Sequence, residues 1–217
     1  ALAGVRWRIF NPADRWWSLL LPQRWRRLHR KLCVVDGAVG FCGGINLLDD
    51  LWDPNHGPLE LPRLDFAVRA TGPLVADMHD TMTRLWWRLQ LAREANKADI
   101  EGALRAVRQM AAAGAQAAQS ERPVGAGATA ALVLRDNVRF RRRIEGSYRA
   151  AIGLARREIL IANAYFVPGV RLQRALVRAA RRGVKITLLL QGRYEYFMQF
   201  HASRAVYATL LAEGIRI

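Results

Sequence analysis

The sequence predicts an α/β fold in which mixed sheets are flanked by helices. Three observations carry that prediction. Two apolar runs, "EILIANAYF" and "VKITLLLQG", enclose one helical pattern, "GVRLQRALVRAARR". A strand, a helix and a strand at that spacing make a right-handed parallel crossover in a buried sheet. Towards the other end, "LHRKLCVVD" and "VGFCGGIN" flank Asp36-Gly37-Ala38 and read as an antiparallel hairpin. The chain has 217 residues, 52% of them hydrophobic, which is enough apolar material for a packed core.

Three regions follow in order. In the first, residues 1–90, "GVRWRIFNP" alternates as a strand and stops at Asn11-Pro12. "DRWWSLLLPQRWRR" follows, aromatic and apolar between arginines. After the hairpin, "LDFAVRA" is a strand. "GPLVADMHDTMTRLWWRLQ" is a helix, with Leu74, Met78, Met82, Leu85 and Leu89 near one stripe. The second region, 91–130, is alanine-rich and then glycine-rich, and reads as a linker or insertion with a helical first part. The third, 131–217, starts with the strand "ALVLRDN" and the helix "FRRRIEGSYRAAIGLARR". It continues through the crossover, with Gly183 as the C-terminal stop of its helix. A last helix, "HASRAVYATLLAEG", leads into "IRI", the start of another strand.

The net charge is +16 and the sequence pI about 11.3, which calls for an anionic partner or a broadly solvated arginine surface. Two cysteines, Cys33 and Cys42, make no disulfide framework. If Gly37-Ala38 is a two-residue loop, they stand opposite one another across the hairpin, where a reduced, buried pair is expected. The four histidines are scattered, so no metal site is expected. No apolar run approaches the roughly 20 residues of a membrane-spanning helix.

Only three lysines stand among the 34 basic residues, and one of them, Lys31, follows His29 by two positions. Along a strand these two side chains share a face. An ammonium holds a phosphoryl oxygen, and a neutral imidazole attacks phosphorus or shuttles a proton. Lysine suits this as a compact point charge, where arginine's fork would fill the space. Asp36 at the turn caps the hairpin or pairs with a base. Gly43 and Gly44 allow a ligand or another backbone to come close. Asn46 offers an amide to a phosphate.

His29, Lys31 and Asp36 in a His-x-Lys-x4-Asp pattern, followed by Gly43-Gly44-x-Asn46, resemble the signature of the phospholipase D superfamily. The blocks "GGIN", "DFAVRATGP", "ANAYFVPG" and "RRGVKITLLLQG" are similar to bacterial cardiolipin synthases, of the B type without N-terminal membrane helices. The resemblance covers nearly the whole chain apart from the Ala/Gly-rich region. It implies an α-β-α sandwich of two pseudo-repeated halves, each giving one His-x-Lys to a shared site. On that basis 1–90 is the C-terminal part of the first half, and 131–217 is the N-terminal part of the second, ending before its motif. Both halves are then incomplete, and the chain alone is expected to be inactive.

The implied chemistry needs no cofactor or metal. One histidine attacks phosphatidylglycerol and becomes a phosphohistidine. The other protonates the leaving glycerol, then activates the hydroxyl of a second phosphatidylglycerol. An acidic residue on a following strand orients the motif histidine, and Asp65 is the candidate. Trp16 and Trp17 between arginines are candidates for a membrane contact, and Arg24, Arg26, Arg27 and Arg30 would attract anionic lipid. The expected partners are anionic phospholipids at the cytoplasmic face of a bacterial inner membrane, held peripherally; the sequence sets no oligomeric state. A phosphodiesterase of the same superfamily acting on nucleic acid is the alternative. It is less favoured, because no series of base-stacking aromatics lies in a basic run. A non-catalytic anionic-lipid-binding fragment is the third reading.

Overall fold

The computed structural model describes residues 3–10, 28–46, 48–53, 57–96, 99–119, 128–135, 140–164, 166–192 and 204–217. Trp16, Trp17, Arg24, Arg26, Arg27, His56 and His201 lie outside the described residues. The chain divides into two compact units, Ala1–Leu132 and Val133–Ile217.

In the first unit, β1 (Leu32–Val35), β2 (Val39–Gly43) and β5 (Ala67–Thr71) form an antiparallel sheet in the order β1-β2-β5. A two-residue pair, β3 (Trp52–Asp53) and β4 (Gly57–Pro58), stands apart from it. The hairpin turns at Asp36 (φ 51°) and Gly37 (φ 65°), with the Ala38 N–H donating to the Val35 carbonyl at 3.0 Å. Two successive left-handed residues are the backbone that Asp-Gly supplies in a tight hairpin turn.

Asp36 joins Gly37 and Ala38 in the loop, so Val35 faces Val39, Leu32 faces Cys42, and Cys33 faces Phe41. This corrects the two-residue loop expected from Gly37-Ala38. A shift of one residue reverses the face of each side chain relative to its partner strand. Cys33 is exposed while Cys42 is half-buried, and alternation turns them to opposite sides of the sheet.

Beneath the sheet runs α1 (Pro73–Asn96), which ends six residues beyond the predicted Gln90. A Cβ on Gly40 would lie 2.5 Å from the Met78 sulfur and 3.6 Å from a Val75 methyl, so β2 presses directly onto this helix. Val75 and Met78 are buried while Met82 is exposed, so the buried stripe is rotated from the predicted Leu74–Met78–Met82 line. Met78 fills the space that the missing Cβ of Gly40 leaves.

The Ala-rich stretch forms α2 (Ile100–Gln119), antiparallel in sequence to α1 and packed along it through Ala106. Asp99 caps it: its carboxylate accepts the Gly102 N–H at 2.9 Å. Residues 4–9, expected as a strand, are in no sheet. They are anchored instead by Arg8, whose guanidinium lies 3.7 Å from the Trp86 ring centre and donates to the Trp86 carbonyl.

In the second unit, β6 (Glu158–Asn163) and β7 (Lys185–Leu190) pair in parallel, joined by α4 (Val170–Arg181). α3 (Arg143–Leu154) precedes them and α5 (Tyr207–Ala212) follows. The chain then returns beside β7, where Arg216 bridges Thr187 in parallel. The stretch "ALVLRDN" has no strand among its described residues. Leu176, Ala179, Ile186, Leu188, Leu210 and Ile215 form the heart of the core.

α4 ends as predicted. Gly183 takes φ 86°, its N–H reaches the Ala180 carbonyl at 2.8 Å, and the Val184 N–H reaches Ala179 at 3.1 Å. The next residue back, Arg182, donates to the carbonyls of Ile152, Gly153 and Ala155 at 3.0, 3.2 and 3.4 Å. One guanidinium thus caps the C-terminus of α3, where carbonyls lack helical partners and the helix dipole favours a cation.

Leu176→Ala should destabilise the second unit by about 2–5 kcal/mol, and Gly183→Ala by about 1 kcal/mol, in urea titrations followed by circular dichroism. Mild copper-phenanthroline oxidation of the monomer should leave Cys33 and Cys42 both titratable as thiols, because side chains on opposite sheet faces cannot meet disulfide geometry.

Candidate active site

The motif lies on the β1–β2 hairpin and the strand beside it. Gly40 on α1's side fixes which face is which. Even-numbered residues of β1 and β2 turn toward α1, and odd-numbered ones turn away. Lys31 precedes β1 by one residue and continues its ladder: its carbonyl accepts the Gly43 N–H at 3.4 Å. Its side chain therefore belongs to the outward face with Cys33, Phe41 and Arg69. His29, two residues earlier and about 6.6 Å along an extended chain, is exposed. No side chain among the described residues bonds to His29, Lys31 or Asn46, and Asn46 is exposed two positions beyond Gly44.

The two glycines have separate steric reasons. A Cβ on Gly43 would lie 2.3 Å from the Phe66 carbonyl oxygen and 2.5 Å from the Ala67 Cα. Its close neighbour is thus another backbone, not an open ligand space. A Cβ on Gly44 would lie 2.2 Å from Oδ1 of Asp65. The Gly44 N–H donates to the Phe66 carbonyl at 2.9 Å, which carries the β2–β5 ladder one residue past the strand ends. The site glycines are therefore what brings Asp65 against the motif hairpin.

Asp65 does not bond to His29. Its Oδ1 accepts the N–H of Phe66 at 2.8 Å, which fixes the carboxylate over Gly44. Extending the register of both strand pairs places His29, Ile45 and Asp65 in one row, with His29 and Asp65 about 9.6 Å apart in backbone. Asp36 is remote from this end. Five extended residues separate it from Lys31, about 16 Å, and its left-handed φ commits it to the turn. The geometry thus gathers Lys31, Gly43, Gly44 and Asp65 and leaves Asp36 at the opposite tip.

Sequence reasoning missed Arg69. It is exposed on β5 opposite Phe41, on the outward face and two rows from Lys31. Among the described residues, no cluster of His, Cys, Asp and Glu could hold a metal ion. No helix among them is long and apolar enough to cross a membrane.

The family described as "Cardiolipin synthase, PLD-like domain" matches residues 148–217, within the second unit. Cardiolipin synthase B of Escherichia coli is 33% identical over 224 aligned positions, which include 99% of this chain and 47% of that protein. A probable cardiolipin synthase of Bacillus subtilis is 26% identical over 88% of this chain and 34% of its own length. Cardiolipin synthase A of Buchnera aphidicola is 25% identical over 88% and 36%. The chain therefore spans about half the length, or less, of these relatives. No solved structure matches it. Residues 148–217 thus carry the PLD-like domain of the cardiolipin synthases, and the chain is similar to cardiolipin synthase B across 99% of its residues.

Proposed function

We infer that this chain supplies one His-Lys half of a phosphatidyltransferase site of cardiolipin-synthase type. One observation carries the reading. The motif lysine stands on the outward face of a hairpin whose Gly44 lies against the Asp65 carboxylate, in a chain similar along its length to cardiolipin synthase B.

In the proposed reaction a motif imidazole attacks the phosphorus of phosphatidylglycerol. A P–N bond forms, the P–O bond to the headgroup glycerol breaks, and a second acid gives that oxygen its proton. The hydroxyl of a second phosphatidylglycerol, deprotonated by the same group, then displaces the imidazole and leaves cardiolipin. Lys31 and the Asn46 amide would hold the phosphoryl oxygens as charge develops. His29 would be the nucleophile or the acid–base partner, and the second imidazole would come from another His-x-Lys motif. Asp65 would support His29 from its own row once the imidazole swings over Ile45. Under this reading the protein acts peripherally at the cytoplasmic face of the membrane, on anionic phospholipid.

Phosphatidylglycerol-dependent formation of cardiolipin and free glycerol by the full-length protein tests this. His29→Ala and Lys31→Ala should each lower the rate by about 100- to 10,000-fold with the fold intact. Lys31→Arg should not restore it, because a planar fork does not replace a point charge at the site. Wild-type rates in His29→Ala would refute the assignment. Loss of nuclease activity in His29→Ala, with no lipid product from the parent protein, would favour the nucleic-acid phosphodiesterase.

Gly44→Val should lower the same rate while leaving the denaturation midpoint nearly unchanged, since its side chain collides with the Asp65 carboxylate at an exposed sheet end. An unaltered rate would separate Asp65 from the chemistry.

A further inference from the structure

Helix α2 is only half covered. Gly102 and Ala106 are buried against α1. At 3.6 residues per turn, Ile100, Leu104, Val107 and Ala111 fall within about 60° of one another, on a stripe roughly 150° from that contact. Ile100 is 75% exposed, Leu104 53% and Val107 49%. The stripe runs about 16 Å along the helix. Arg108 lies about 70° round the helix from the stripe and Arg105 about 130°, both exposed, and no carboxylate pairs with either among the described residues. The sequence pattern of this stretch, a linker or insertion, gave the stripe no task.

We propose that α2 lies in the surface of an anionic bilayer, with Ile100, Leu104 and Val107 seated among the acyl-chain ends and Arg105 and Arg108 on lipid phosphates. An apolar stripe beside arginines on one helix is the pattern of an interfacial helix. Charge selects the occupant. A second copy of a chain carrying +16 would bring like charge to this flank, whereas an anionic surface is complementary to it. Nucleic acid would use the arginines and leave the three apolar side chains in water. The inference rests on helix α2 alone and is independent of the phosphoryl-transfer reading.

Co-sedimentation of the full-length protein with vesicles of phosphatidylglycerol and phosphatidylcholine tests it. Leu104→Asn/Val107→Asn should weaken partitioning at least tenfold. Arg105→Gln/Arg108→Gln should weaken it roughly tenfold and flatten its salt dependence, since each basic side chain near such a surface contributes a few-fold to tenfold. His29→Ala should partition like the parent, which keeps a failure of the chemistry distinct from a failure of the contact. Should the double apolar variant misfold by circular dichroism, Ile100→Ser at the exposed first turn carries the test, with at least threefold weaker partitioning expected. Unchanged partitioning in the folded apolar variants overturns the proposal. So does a fall in sedimentation-equilibrium mass at unchanged vesicle binding, which would make the stripe a contact between copies. Weakened oligonucleotide binding in the arginine variant, with vesicle binding intact, overturns it in favour of nucleic acid.

Discussion

The approach of β2 to the segment 65–67 is the constraint on which the first unit depends. The Phe66 carbonyl and the Ala67 Cα stand where a Gly43 side chain would begin, and the Asp65 carboxylate stands where a Gly44 side chain would begin. Any larger residue at Gly43 meets backbone, which cannot rotate away. The ladder between β2 and β5 therefore closes fully only with glycine there. That closure aligns β5 with the hairpin and sets the carboxylate beside the motif. On the other side of the same strand, Gly40 lets Met78 into the sheet. Three glycines in one short strand thus set the sheet edge, the helix beneath and the position of Asp65.

Much of this was legible in the sequence, and the failures have physical reasons. Local signals held where one residue type decides: Gly183 ended α4, Asp36-Gly37 made the turn, and the parallel pair β6–β7 followed from apolar runs around a helix. The hairpin register was not legible, because one additional loop residue, Asp36, costs little in sequence signal yet puts Cys33 and Cys42 on opposite faces. Residues 4–9 alternate like a strand, but alternation identifies a strand only when a partner edge is present, and Arg8 stacking on Trp86 holds them instead. In the candidate site, His29, Lys31 and the two glycines stood out by type and spacing. Asp36 belonged to the turn, and Arg69 was overlooked because it carries no motif.

The arginine surface also divides by function within the fold. Arg182 holds three carbonyls at the end of α3, and Arg63 donates to the carbonyls of Asp49 and Trp52. Arg181 chelates Glu213, which raises its own pKa and lowers that of the carboxyl. These groups use the planar fork, and lysine could not reproduce them. Arg171, Arg174 and Arg178 instead stand on the open face of α4 as solvated charge. Lys31 belongs to neither group: it has no partner among the described residues, on the face that carries the exposed Cys33, Phe41 and Arg69.

The three-residue loop at Asp36, Gly37 and Ala38 works as a length gauge. It sets how far the lysine end of one strand stands from the glycine end of the next, and the interval from Lys31 to Gly43 is a count the hairpin must preserve. Side chains along that interval other than at Gly40 and Gly43 are free to drift, provided the turn keeps its left-handed backbone. A single insertion or deletion is different in kind. It would carry Lys31 to the helix side or detach Gly43 from Ala67, losing the alignment at one step. Along this hairpin, the tolerated route of divergence is substitution at constant length.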